Sequence, residues 1–162
     1  MPADDPASGA ASAGTSANGT QLGQLPVTFW AMRFATPDGG ELLMQSLKGK
    51  PLLINFWATW CPPCIRELPA LNRFYLAQAG KGWRVVGLAI DSAEPVRDFL
   101  KRLPLDFDIG IAGLDGTELV RQLGNNMGGL PYSVLLDSNG QLVARKLGEL
   151  SEQDLAQWAQ LA

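Results

Sequence analysis

The chain of 162 residues contains no histidine. That absence excludes Ser-His-Asp and Cys-His catalysis, zinc or haem held by imidazole, and every histidine pH switch. Basic clusters are missing too. Thirteen Lys and Arg stand against sixteen Asp and Glu, for a net charge of −3, and both signs are scattered along the body. With no basic run to neutralise phosphates, neither nucleic acid nor an anionic membrane surface is an expected partner. No stretch of eighteen apolar residues occurs, so no segment is expected to span a bilayer. Only two cysteines are present. Without histidine they are two ligands short of a zinc site.

What is there divides into two parts. Residues 1–22 are almost all small or polar, with Pro and Gly but no basic n-region and no apolar h-region. The segment cannot bury enough apolar surface to offset its ordering entropy and reads as a disordered linker or tether. The tether-like composition favours an extracytoplasmic protein whose signal or membrane anchor lay upstream, over a cytosolic protein with a loose start. Asn18-Gly19-Thr20 matches the glycosylation sequon, a short pattern that carries little by itself. Residues 23–162 have the size of one ordinary domain, and a core of that size folds without a disulfide or metal staple.

Within the body, strand and helix patterns alternate. Val27–Phe34 and Glu41–Met44 flank the turn Pro37-Asp38-Gly39-Gly40 and predict an N-terminal hairpin. Pro51–Ala58 is a nearly unbroken apolar run, the signature of a central strand covered on both faces. Residues 62–79 place Ile65, Leu68, Leu71, Phe74, Tyr75 and Leu76 on a broad helical face, with Pro69 predicting a kink. Trp83–Ile90 is a second buried strand, and Ser92 opens a helix over 94–102 with Pro95 in its first turn. An extended piece near Phe107–Ile111 and a helix about 116–123 follow. Tyr132–Asp137 and Gln141–Leu147 pair across Asn139-Gly140, and Ser151 with Asp154 caps a last helix holding Leu155, Trp158 and Leu161. The fold class is α/β with a mixed sheet.

The two cysteines form Trp60-Cys61-Pro62-Pro63-Cys64, at the carboxyl end of a buried strand and the start of a helix. Open α/β sheets place their working groups there. Unpaired N–H groups at a helix N-terminus favour a thiolate, and the C-x-x-C spacing lets both sulfurs meet within one turn. A structural disulfide closing so short a loop would constrain the unfolded chain little. Redox chemistry is the reading these facts favour.

The segment Asn55-Phe56-Trp57-Ala58-Thr59-Trp60-Cys61-Pro62-Pro63-Cys64-Ile65-Arg66-Glu67-Leu68-Pro69 resembles the active-site segment of the thioredoxin superfamily, and more narrowly its TlpA/ResA-like branch of exported thiol-disulfide oxidoreductases. Gly129-Leu130-Pro131 and the hairpin through Gly140 are similar to that family's cis-proline signature, and the resemblance runs over about 25–160. It implies a thioredoxin-like fold with helices flanking the sheet, and the N-terminal hairpin as an addition to minimal thioredoxin. It also implies Cys61 as nucleophile and Cys64 as resolving thiol, which agrees with the first cysteine of such a turn being the more exposed. The redox-active Cys61–Cys64 disulfide would then replace any other cofactor, with no metal.

Further roles follow from the same likeness. Glu67, three residues after Cys64, lies one helical turn on and becomes the proton donor or acceptor for that sulfur. Its bland alternative is a solvated residue near Arg66. Thioredoxin's buried aspartate is matched here by Asn55, which does not titrate. Pro131 becomes the cis-proline facing the disulfide, and Leu130 offers backbone groups to an extended substrate. Trp60, Pro62 and Pro63 complete the groove, Trp57 is expected in the core, and Met127 stands near the site as a possible partner contact.

The Pro62-Pro63 pair bears on direction. Neither residue has an N–H to offer the Cys61 sulfur, and thiolate stabilisation is what makes a disulfide a strong oxidant. A reductant of client proteins with cysteine pairs is expected, of the cytochrome c or copper-site maturation type, recharged by a membrane thiol-disulfide carrier. Two other readings are a disulfide-forming oxidant on the same fold and a Cu(I)-binding chaperone using the two cysteines and Met127. A peroxidase is disfavoured, because both cysteines share one turn. A groove that must stay open to partner proteins suggests a monomer.

Overall fold

The computed structural model describes residues 24–162, together with the backbone of Gly14 and Thr15. The proposed linker 1–22 therefore lies essentially outside the described residues. The sheet is built from β1 (Gly14–Thr15), β2 (Arg33–Ala35), β3 (Glu41–Leu43), β4 (Leu52–Trp57), β5 (Arg84–Ala89), β6 (Asp108–Ile111), β7 (Tyr132–Leu136) and β8 (Leu142–Leu147). The helices are α1 (Pro62–Gln78), α2 (Ala93–Arg102), α3 (Gly116–Gln122) and α4 (Glu152–Trp158). Strand order is β1-β8-β7-β4-β5-β6-β2-β3. The central β4, β5 and β6 run parallel, while β7 and β8 on one side and β2 and β3 on the other are antiparallel.

Every residue of β4 is buried, as the apolar run predicts, and strand alternation sorts them. Leu53 and Trp57 face a core closed by Leu68, Leu71 and Phe74 of α1, Val96 and Phe99 of α2, and Leu155 and Trp158 of α4. Leu52, Ile54 and Phe56 face the opposite core, closed by Leu119 and Val120 of α3 and by Phe29, Met44 and Leu47. Asn55 belongs to the first face by the same alternation. The result is helix–sheet–helix layering in a thioredoxin-like fold, with the hairpin β2–β3 added at the sheet edge through the pairing of Ala35 with Ile111.

The structure shortens some expected elements. The first hairpin arm begins at Arg33 rather than Val27, because Phe29–Ala31 winds into a 3₁₀ turn that drives Phe29 into the core. Met44 likewise leaves the second arm for a 3₁₀ turn, and is fully buried there. Helix α1 continues through Pro69, and α4 ends at Trp158, before Leu161. The cap of α4 falls on the expected residues, and the structure makes it reciprocal, with Asp154 N–H donating to Ser151 Oγ and Ser151 N–H to Asp154 Oδ2.

Gly87 on β5 pairs with Asn55 across the strands. A Cβ there would lie 3.0 Å from Trp57 Nε1 and 3.1 Å from both Ile109 and Phe107. Gly87→Ala is therefore expected to destabilise by about 1–3 kcal/mol through overpacking, read as a lower denaturant midpoint at unchanged m-value. An unchanged midpoint would show that the ring has room to move.

Candidate active site

Strand β4 ends at Trp57, and the chain turns through Ala58-Thr59-Trp60 into α1. Thr59 fixes this turn: its N–H and Oγ1 both donate to Asp91 Oδ2, at 3.0 and 2.6 Å. Asp91 follows β5, so its carboxylate ties together the carboxyl ends of two neighbouring parallel strands. Trp60 stands out of the surface at 62% exposure, while Trp57 is fully buried, as expected of each.

Cys61 is the N-cap of α1, with Pro62 and Pro63 in its first positions. Proline suits a first turn because its φ is preset and its missing N–H has no helical acceptor to lose. The Cys61–Cys64 disulfide is closed, with Cα atoms 5.3 Å apart. Cys64 is wholly buried, and Cys61 is the more exposed at 5%. Cys61 Sγ accepts one backbone hydrogen bond, from Cys64 N–H at 3.3 Å.

One turn along α1, Glu67 is only 2% exposed. The solvated alternative is thereby overturned: Arg66 pairs instead with Glu149, at 2.7 Å. Glu67 Oε1 accepts from the Leu150 N–H at 2.8 Å, and Oε2 from Asn55 Nδ2 at 2.7 Å. Asn55 Nδ2 also donates to Ser133 Oγ on β7, at 2.9 Å. Burial pushes the Glu67 carboxyl up to about 7, against the opposing pull of its two N–H donors. The charge of Glu149 adds to the rise and that of Lys146 offsets part of it.

The Leu130–Pro131 peptide bond is cis. Its approach is shaped by buried Asn125, which donates to the Gly129 carbonyl at 2.7 Å and accepts from the N–H groups of Met127 and Gly128. The Pro131 carbonyl accepts from Gly148 N–H. Among the described residues, neither the N–H nor the C=O of Leu130 takes part in a backbone hydrogen bond. Met127 projects from this loop at 81% exposure.

Sequence reading singled out Cys61, Cys64, Glu67 and Pro131 but did not name the partners Ser133, Leu150 and Asp91. Ser133 had a legible signal: a polar residue inside an otherwise apolar buried strand needs a hydrogen-bond partner. The Leu150 donor is a backbone group and leaves no such trace.

Comparison with known proteins agrees with this geometry. Residues 21–160 match the Redoxin family. The thiol-disulfide oxidoreductase ResA of Bacillus cereus is 34% identical over 124 residues, covering 76% of this chain and 69% of its own. A thiol:disulfide interchange protein of the thioredoxin family from Chlorobium tepidum superposes with a TM-score of 0.72 at 27% identity, covering 90% of this chain and 99% of its own. StoA from Bacillus subtilis gives 0.64 at 28% identity, over 79% and 95% of the two chains. With its dithiol pair closed into a disulfide at the head of α1, the chain belongs to the Redoxin family and is a thiol-disulfide oxidoreductase of the ResA-like kind.

Proposed function

We propose that the protein is a reductant of disulfides in client proteins, working in an extracytoplasmic compartment of a bacterium. Reduced Cys61, as thiolate, attacks one sulfur of the client disulfide. The client's other sulfur leaves as a thiolate and takes up a proton. Cys64 gives its proton to Glu67 and attacks Cys61 Sγ, so the client's second sulfur departs as a thiolate and takes up a proton while Glu67 releases its own to solvent. The client gains two electrons and two protons, and the Cys61–Cys64 disulfide is left behind. A membrane thiol carrier restores the dithiol. The free backbone groups of Leu130, beside cis-Pro131, receive an extended client segment by strand addition, with Trp60 and Pro62-Pro63 as groove wall.

The observation that carries the direction is the poverty of donors at Cys61. Its sulfur has the Cys64 N–H, while Pro62 and Pro63 supply none. A thiolate so held is weakly stabilised, which leaves the reduced form a strong electron donor. The ResA likeness supports a client of the cytochrome c or copper-site maturation type. Among the described residues no helix is long and apolar enough to cross a membrane.

The midpoint potential of the Cys61/Cys64 couple, equilibrated against glutathione or dithiothreitol, tests this. A value near or below about −220 mV supports the reductant, and one near about −120 mV makes it a disulfide-forming oxidant. Pro63→His restores a backbone N–H and adds a cationic neighbour. It is expected to raise the potential by about 30 mV or more, one decade in the equilibrium constant. An unchanged potential would remove the role assigned to the prolines.

A further inference from the structure

Both oxygens of the Glu67 carboxylate face N–H donors, one from Leu150 and one from Asn55. That arrangement matches the charged form. Once protonated, Glu67 has an O–H that needs an acceptor, and neither the Leu150 N–H nor the Asn55 NH₂ is one. An acceptor is nevertheless within the same Asn55 side chain. Asn55 Oδ1 is buried and has no hydrogen-bond partner among the described residues.

A half-turn of the Asn55 amide exchanges Oδ1 and Nδ2. Oδ1 then accepts from the Glu67 O–H, and from the Ser133 hydroxyl, which rotates from acceptor to donor. The pole of the amide away from Glu67 is unpartnered in either orientation, so the flip breaks no bond there, and the two bonds at the near pole reverse their direction. Glu149 and Lys146 are the charged groups that act on Glu67 from the β8–α4 side. They are engaged with Arg66 and Asp154 respectively, and neither bonds to Glu67. On its own helix the neighbouring titratable group is Cys64, closed in the disulfide.

We propose that Asn55 is a two-position amide switch, with Ser133 as its hydroxyl rotor, that keeps Glu67 hydrogen-bonded in both of its protonation states. Its use in the redox cycle rests on the reading of Glu67 as the acid that serves Cys64. Asn55 is then a positioning residue. An aspartate there would repel ionised Glu67, and an aliphatic side chain would satisfy neither state. Asparagine alone of these offers a donor and an acceptor from one pivot.

The test is nuclear magnetic resonance on the oxidised full chain. The Asn55 side-chain amide and the Glu67 carboxyl carbon are followed on either side of the Glu67 midpoint. The amide signals are expected to move with the same midpoint as the carboxyl. In Glu67→Gln, the introduced amide keeps the Leu150 N–H on its oxygen and presents its NH₂ to Asn55, so the Asn55 amide stays at its low-pH position throughout. Asn55→Leu is expected to move the Glu67 midpoint by less than about half a pH unit, because a partner of both states is lost. Removing a fixed donor to the charged form would raise it by about one unit or more. That larger rise, or an Asn55 amide that stays still while Glu67 titrates, overturns the switch. The Cys64 reading fails separately: its failure is an identical pH dependence of the midpoint potential in wild type and Glu67→Gln, with the switch itself still supported by coincident titration.

Discussion

Cys64→Ser is expected to stop the reaction at its midpoint. Cys61 still attacks the client, but no second thiol stands in the same turn to release it. A covalent client–Cys61 adduct accumulates, visible on a non-reducing gel and lost on addition of dithiothreitol. The missing step is intramolecular in the wild type, where Cys61 and Cys64 lie 5.3 Å apart between Cα atoms. An external thiol replacing it forgoes the effective-molarity advantage, and turnover is expected to fall by about 10³-fold or more. Cys61→Ser gives no adduct and no turnover. The reverse pattern, with adduct in Cys61→Ser and none in Cys64→Ser, would exchange the two roles.

The second large effect is on stability. The Glu67 carboxyl is raised from 4.5 to about 7 in the folded protein. A group raised in this way binds its proton more tightly when folded, so its contribution is fully present below about 4.5 and is lost as pH climbs through 7. The shift corresponds to roughly 3 kcal/mol between those limits. Denaturant unfolding at a series of pH values is expected to show wild type losing that much more stability than Glu67→Gln from acid to mildly alkaline pH. Parallel curves for the two proteins would mean that the buried carboxylate is relieved by some other group. The buried carboxyl of Glu67 thus costs the fold stability at neutral pH.

The architecture was legible because its strongest signals are periodic. The nearly unbroken run Pro51–Ala58 has the pattern of a strand buried on both faces, and Ser151 with Asp154 announced a helix start that the structure reproduces. The dithiol was legible from spacing and from its place between strand and helix. What failed at the N-terminal hairpin was local: Phe29 and Met44 look like strand residues, but tertiary burial draws each into a 3₁₀ turn. The surroundings of Glu67 were only half legible. Asn55 and Ser133 are polar interruptions in apolar strands and signal a buried network. Which carboxylate they serve depends on β4 and β7 lying side by side, with Asn55 in register with Ser133. A linear pattern does not encode that pairing.

The donor to Glu67 Oε1 is a backbone group 83 positions further along the chain. On a ribosome, Cys61 and Cys64 emerge long before Leu150 does. Between those moments the dithiol exists without the complete enclosure of its neighbouring acid, and that carboxyl behaves as an ordinary exposed glutamate. A nascent chain therefore has sulfurs able to attack any disulfide they meet, beside a carboxyl that lacks its folded surroundings. Docking of the last hairpin and helix over α1 therefore completes the surroundings of Glu67, and the chain's end is the part that sets this carboxyl apart from an exposed one.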